Sequence, residues 1–313
     1  MAQAGSFSRE GGLTAGQQKK GQEPGRSTEH RGNHACNIGF RRGQAKWGPS
    51  SGFLPDNLDC HVSELDVVIG PDEPRFWVAL GACAVGAAAF LWWTGRMKGD
   101  GRHVRHAIGF TMLGMQVFEI VHTLMNPAME FSVHRSLPLH FCGLNAILLG
   151  ILCFRFNPHV FTFAGFLGMI GGFHSVLTPQ LPSGDALPLF ILFYLKHAAL
   201  VVVPIAMVRS FGAWFSKWAW IRAYGIAVAL STVVMGINAL LNGPFAHPDG
   251  LVANYMYVWE IPKANNPLLI NWPWPWYLAP LHVALLVHLI VVNALFRRFL
   301  PVSSGDRTLR WYE

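Results

Sequence analysis

The sequence predicts an all-α, polytopic membrane bundle of seven transmembrane helices, and three observations carry that expectation. Of 313 residues, 52% are hydrophobic and only 13% charged, against roughly 25% charged in an average soluble domain, which excludes an ordinary soluble enzyme. The charge is also unevenly placed: residues 1–75 hold 9 Lys/Arg and 9 Asp/Glu, leaving 15 and 8 for residues 76–313. That remainder contains seven apolar stretches, each near the ~20 residues that ~30 Å of hydrocarbon requires of a helix. The 20 prolines and 32 glycines fit such a bundle, because neighbouring helices satisfy the backbone groups they free.

Residues 1–74 are rich in Gly, Ser, Gln and charge and include Gln17-Gln18-Lys19-Lys20. Such a stretch cannot bury enough apolar surface to offset ordering entropy, so it reads as a disordered tail. It has no apolar segment of the signal-peptide kind, and a start codon assigned too far upstream explains it equally well. A transmembrane domain over 75–298 and a short cytoplasmic tail over 299–313 complete the organisation.

In order, the spans are expected at Phe76–Trp93, His106–Met125, Leu137–Phe154, His159–Thr178, Leu187–Val208, Ala219–Leu241 and Trp276–Phe296. Breakers separate them: Gly99-Asp100-Gly101, Asn126-Pro127, Asn157-Pro158, Pro179 to Pro188, and Gly243-Pro244. The sixth connection, 242–275, is the long one, and long connections are often functional. Alternate connections carry twelve Lys/Arg against two, Arg135 and Lys263. This positive-inside bias predicts an external N-terminus and a cytoplasmic C-terminus. It also accounts for the net charge of +7 without nucleic acid, since the basic residues sit at the ends of apolar segments.

Ionisable groups inside spans are expensive and mark function by default. Gln116, Glu119 and His122 are spaced i, i+3, i+6 in the second span, along one helical face. The third span opens with Pro138, His140 and Cys142, with Asn145 on the face of Cys142. The fourth carries His174 and Ser175, the fifth Lys196 and His197, and the last connection Asn254, Tyr255 and Tyr257. All fall in the outer half of the bundle, as expected of a substrate pocket or a solvated vestibule. At ~1.5 Å rise per residue, Glu119 and Lys196 reach similar depth and can pair if their helices touch.

The five cysteines show no CxxC pair and no metal-ligand spacing, so neither a disulfide framework nor a metal or cofactor site is expected. Cys83 and Cys153 read as small apolar packers. Cys142 lies near a helix start, where the dipole favours the reactive thiolate. His140 is two residues before it, about 200° round a regular helix, so a base must come from another helix: His197, His122 or His174.

Leu137-Pro138-Leu139-His140-Phe141-Cys142 resembles the Leu-Pro-Leu-His-Leu-Cys signature of the YwaF-type bacterial integral membrane proteins, relatives of the eukaryotic transmembrane protein 164 family. Leu177-Thr178-Pro179, Asn254-Tyr255-Met256-Tyr257 and Trp274-Pro275-Trp276-Tyr277 are similar to further segments of that group. The likeness spans about residues 75–298. Phe141 departs from the usual Leu, and Asn271-Trp272-Pro273 from the usual Gly-Pro. The resemblance implies an integral protein of the bacterial plasma membrane. It further implies fatty acyl transfer to a phospholipid or lysophospholipid through a cysteine, matching Cys142, and a downstream histidine, best matched by His197. For such a step Asn145 or His140 is the expected stabiliser of the oxyanion. A small-solute or ion carrier built on Glu119 and Lys196, a metal-dependent lipid hydrolase on the histidines, and a non-catalytic membrane protein are the competing expectations. No internal repeat supports the carrier and no HExxH the hydrolase.

Overall fold

A computed structural model describes residues 67–98, 101–126, 131–182, 184–215, 218–262 and 266–299. Among them are two short strands, β1 (Val67–Val68) and β2 (Gln180–Leu181), and seven α-helices. The helices are α1 (Pro74–Gly95), α2 (Arg102–Met125), α3 (Phe141–Leu152), α4 (Pro158–Leu177), α5 (Leu187–Ser210), α6 (Ala219–Asn242) and α7 (Leu278–Phe299). Six of them are long and apolar enough to cross a membrane; α3 is the exception. The expected tail over 1–66, Lys217, Lys263 and the residues after 299 lie outside the described residues.

Helix starts follow from local chemistry. Pro74, Pro158 and Pro188 occupy first-turn positions where a missing N–H costs nothing. Asn157 caps α4, its Oδ1 accepting from the N–H of His159 at 2.9 Å and of Val160 at 3.2 Å. Along α4 the residues from Phe161 to Ile170 are all buried, because this helix packs against α3, α5, α6 and α7 at once. That is why its sequence is apolar on every side. Phe161, Phe166, Phe215 and Phe296 fill the core at its start, with the rings of Phe161 and Phe215 stacked at 4.5 Å. Gly165 admits that stack: a Cβ there would lie 2.8 Å from the Phe215 ring.

The third span differs from expectation. A helix was expected over Leu137–Phe154, but α3 has 12 residues, about 18 Å of axis, short of a ~30 Å hydrocarbon core. Pro138 disfavours helical backbone at Leu137, and the Leu137 N–H bonds instead to the Tyr255 hydroxyl at 3.1 Å. Tyr255, fully buried, donates that hydroxyl to the Val133 carbonyl at 2.7 Å. The missing upper part of the span is thus replaced by two irregular segments, 131–139 and 253–258, packed on each other through Leu137, Leu139, Ala253, Tyr255 and Met256. Irregular backbone at this depth is tolerated where protein covers it.

Residues 67–73, expected to belong to the tail, are structured. β1 pairs antiparallel with β2, Val67 opposite Leu181 and Val68 opposite Gln180. Arg75 of α1 reaches Asp185, before α5, at 2.5 Å.

Candidate functional site

The polar residues of the spans gather at the N-terminal end of α3. His140 is its N-cap and supplies no side-chain cap. The first intrahelical bond runs from the Leu144 N–H to the His140 carbonyl at 3.0 Å, so the helix itself leaves the N–H groups of Phe141, Cys142 and Gly143 uncommitted. Cys142 sits in this first turn. Its Sγ lies 3.7 Å from the Ser175 hydroxyl of α4 and 3.4 Å from the position a Cβ on Gly171 would take.

Lys196 of α5 and Glu119 of α2 form an ion pair, Nζ to Oε2 2.6 Å, with the lysine side chain 7% and the carboxylate 33% exposed. The same Oε2 accepts from Gln116 Nε2 at 3.0 Å. The matching depths expected of Glu119 and Lys196 are therefore realised as a contact. His197, the next residue, is buried, and its Nδ1 stands 2.7 Å from the Phe193 carbonyl. A carbonyl only accepts, so Nδ1 carries the proton in the neutral ring and Nε2 presents a lone pair. Gly172 lets α4 and α5 touch here: a Cβ on it would fall 2.5 Å from the His197 carbonyl oxygen.

The Cys142 sulfur and the His197 backbone carbonyl therefore face consecutive glycines of α4. No hydrogen bond joins Cys142 to His197 among the described residues; the thiol rests on Ser175 and the ring on Phe193.

His140 is held by the last connection, its Nδ1 accepting from the Met256 N–H at 3.3 Å and its ring lying against Tyr255 and Tyr257. That connection is tightly built. Met256 and Tyr257 are consecutive left-handed residues, φ 57° and 54°, a conformation costing about 1–2 kcal/mol per residue. Asn238 offsets this by pairing with both the N–H and the carbonyl of Tyr255, and the Tyr277 hydroxyl donates to the Tyr257 carbonyl. Asn254 turns inward on its own loop, bonding Trp259 and Glu260. The polar groups of Asn254 and Tyr255 are thus engaged in holding the loop over α3.

Asn145, one turn beyond Cys142, is 0% exposed, and neither its Oδ1 nor its Nδ2 has a hydrogen-bond partner among the described residues. A buried amide group left unpaired costs about 1–3 kcal/mol. Gln116 Oε1 is likewise buried and unpartnered. His122, one turn beyond Glu119 on α2, has its ring 5.9 Å from that of Phe118. His174 pairs with His288 of α7, Nε2 to Nε2 3.1 Å. His288 Nδ1 lies 2.6 Å from the Ala284 carbonyl and so donates to it, leaving its Nε2 to accept from His174. Sequence reasoning passed over His288; a histidine within an apolar span was the available signal. The histidines do not converge on one point, and among the described residues no three His, Cys, Asp or Glu side chains form a metal-ligating group.

Six long apolar helices packed with buried polar side chains among them define a polytopic integral membrane protein. Residues 70–292 match the model of the TMEM164 family, and the chain belongs to that family. The match covers nearly the stretch over which the motifs resemble the YwaF-type group. No curated protein and no solved structure matches the chain.

Proposed function

We propose that this chain is a lipid acyltransferase that works through a thioester on Cys142, with His197 carrying the proton and a phospholipid or lysophospholipid as substrate. In the first half-reaction the Cys142 thiol passes its proton to His197 Nε2 and attacks the carbonyl carbon of a donor ester. The C–S bond forms, the ester C–O bond breaks, and the departing alkoxide takes the proton from His197. In the second, His197 Nε2 accepts the proton of a lipid hydroxyl, whose oxygen attacks the thioester; the C–S bond breaks and the proton returns to sulfur.

The observation that carries this reading is the close approach of α3, α4 and α5 at Gly171 and Gly172: Cys142 in the first turn of α3 faces Gly171, the His197 backbone faces Gly172, and the buried His197 ring, its Nδ1 held by the Phe193 carbonyl, has no Nε2 partner among the described residues. The first turn of α3 sets Cys142 among backbone N–H groups that no intrahelical bond uses. Ser175 holds the resting thiol, and the contact with His197 forms on substrate binding, as catalytic hydrogen bonds commonly tighten in the Michaelis complex. The Glu119–Lys196 pair ties α5 to α2 and so fixes the helix that bears His197.

The test is intact-mass labelling of the purified full chain in detergent with a long-chain fatty acyl p-nitrophenyl ester. Hydroxylamine-sensitive labelling is expected in the wild type and in Cys153→Ser, and is expected to be lost in Cys142→Ser and His197→Ala. Equal labelling in all four proteins, or none in any, rejects the thioester route. The competing carrier reading then gains, because Glu119 is one-third exposed beside a buried ammonium, and flux into vesicles with Glu119 and Lys196 variants becomes the measurement.

A further inference from the structure

We propose that Asn145 is the oxyanion donor of this site: its side-chain amide and the backbone N–H of Cys142 together hold the oxygen that becomes negative when the sulfur adds to an acyl carbonyl. The proposal rests on the Cys142 thioester reading and adds to it the group that stabilises the transition state.

Three observations single out Asn145. It lies on the same side of α3 as the nucleophile: Cys142 Sγ faces Gly171 of α4, and the Asn145 Cβ faces Gly168, one turn earlier on that helix, at 3.6 Å from the Cβ position there. Residues three apart on a helix are neighbours, and helical side chains lean toward the N-terminus, which directs the amide to the first turn of α3. That turn offers the Cys142 N–H, which no intrahelical bond uses. Finally, Asn145 is wholly buried with both amide atoms unpartnered among the described residues, so no structural bond there accounts for a polar residue in this position.

The neighbouring candidates are less suited. Gln116 also has an unpartnered buried atom, but it is the acceptor Oε1; one N–H of its Nε2 goes to the Glu119 carboxylate, which anchors the amide on that ion pair. An acceptor cannot stabilise an oxyanion. His140 is engaged by the Met256 N–H and is packed between Tyr255 and Tyr257, so the overlying loop explains its position.

As the Cys142 sulfur bonds to the carbonyl carbon, the π pair moves onto oxygen, and the two N–H groups meet that charge before it returns to expel the leaving group. Donors of this kind in a water-excluded site are worth about 10²–10³-fold in rate each.

The experiment follows thioester formation on the full chain with the same p-nitrophenyl acyl ester, comparing wild type, Asn145→Leu, and the shape-matched pair Asn145→Val and Asn145→Thr, with Tm measured for each. Asn145→Leu is expected to label about 10²–10³-fold more slowly with Tm equal to or above wild type, since it removes an unpaired buried amide. Asn145→Thr restores a donor and is expected to label faster than Asn145→Val. Wild-type labelling with Asn145→Leu at the same rate, or Val and Thr at equal reduced rates, overturns the oxyanion assignment while leaving Cys142 acylation standing. Absence of labelling in the wild type overturns both readings. If Asn145→Leu does not fold, the Val and Thr pair decides alone, because the two differ only by a hydroxyl in place of a methyl.

Discussion

Lys196 carries an ammonium on a side chain only 7% exposed, and its partner Glu119 keeps 33% of its own side chain accessible. The two ends of this ion pair are therefore not equivalent. Removing the carboxylate leaves a desolvated cation without compensation; removing the cation leaves a carboxylate that can turn toward solvent or headgroups. Losing one partner of a buried pair costs about 3–5 kcal/mol, and an apolar replacement of both is often neutral. Glu119→Leu is accordingly expected to destabilise by about 3 kcal/mol and Lys196→Met by about 1 kcal/mol, with the double variant close to wild type. Denaturant or thermal unfolding in one detergent reads all three. Equal losses in the single variants would mean that the carboxylate is as desolvated as the ammonium, and additive losses in the double would mean that the pair is not coupled.

At the scale of elements, what the sequence made legible is what the bilayer dictates. Six long helices, their breakers and the common end of Glu119, Cys142, His174 and Lys196 follow from apolar length and antiparallel succession, both local properties. The shortness of α3 does not, because the stretch from Leu137 continues the apolar run and passes for helix; the Leu137 N–H and the Val133 carbonyl are taken by the hydroxyl of Tyr255, a residue more than a hundred positions later. The resting partner of Cys142, Ser175, depends on helix rotation, which Gly171 permits but no periodicity states. The β1–β2 clasp was hidden for the same reason, since Val67 and Val68 find their partners only across α1 to α4. An electrostatic tether beside the clasp is open to test. Hydrogen bonding to Arg75 draws the Asp185 carboxyl below its ordinary value, so the ionised form is favoured in the folded state. The contribution is full above the ordinary carboxylate range and fades as pH falls through the depressed value. Protection of the Ile69 amide, which bonds to the Pro179 carbonyl at 3.2 Å, is expected to drop between about pH 6 and about pH 3. In Asp185→Asn the protection is expected to be lower at the higher pH already and to change little on acidification. Hydrogen exchange with the same pH dependence in both proteins rejects this tether.

For the whole molecule, the consequential question is which leaflet the α3 end of the bundle faces. Successive antiparallel helices put the starts of α3, α5 and α7 at one end and the termination of α7, with Arg297 and Arg298, at the other. The connections at the α7-terminal end hold Arg96, Lys98, Arg102, Arg155 and Arg209, whereas in the sequence those at the α3 end carry Arg135 and Lys263, the latter outside the described residues, with Arg75 at the start of α1. Such a bias orients a polytopic protein with its basic end in the cytoplasm. Cys142 is then expected to lie toward the external leaflet, and under the proposed acyl transfer the expected donor is a lipid ester already in the membrane rather than a soluble acyl thioester of the cytoplasm. A reporter that fluoresces only in the cytoplasm, fused after Glu313, is expected to be bright, and a phosphatase active only outside is expected to be silent at the same position. The reverse result would turn the site to the cytoplasmic leaflet, and a soluble acyl thioester would become the donor to supply in the labelling experiment.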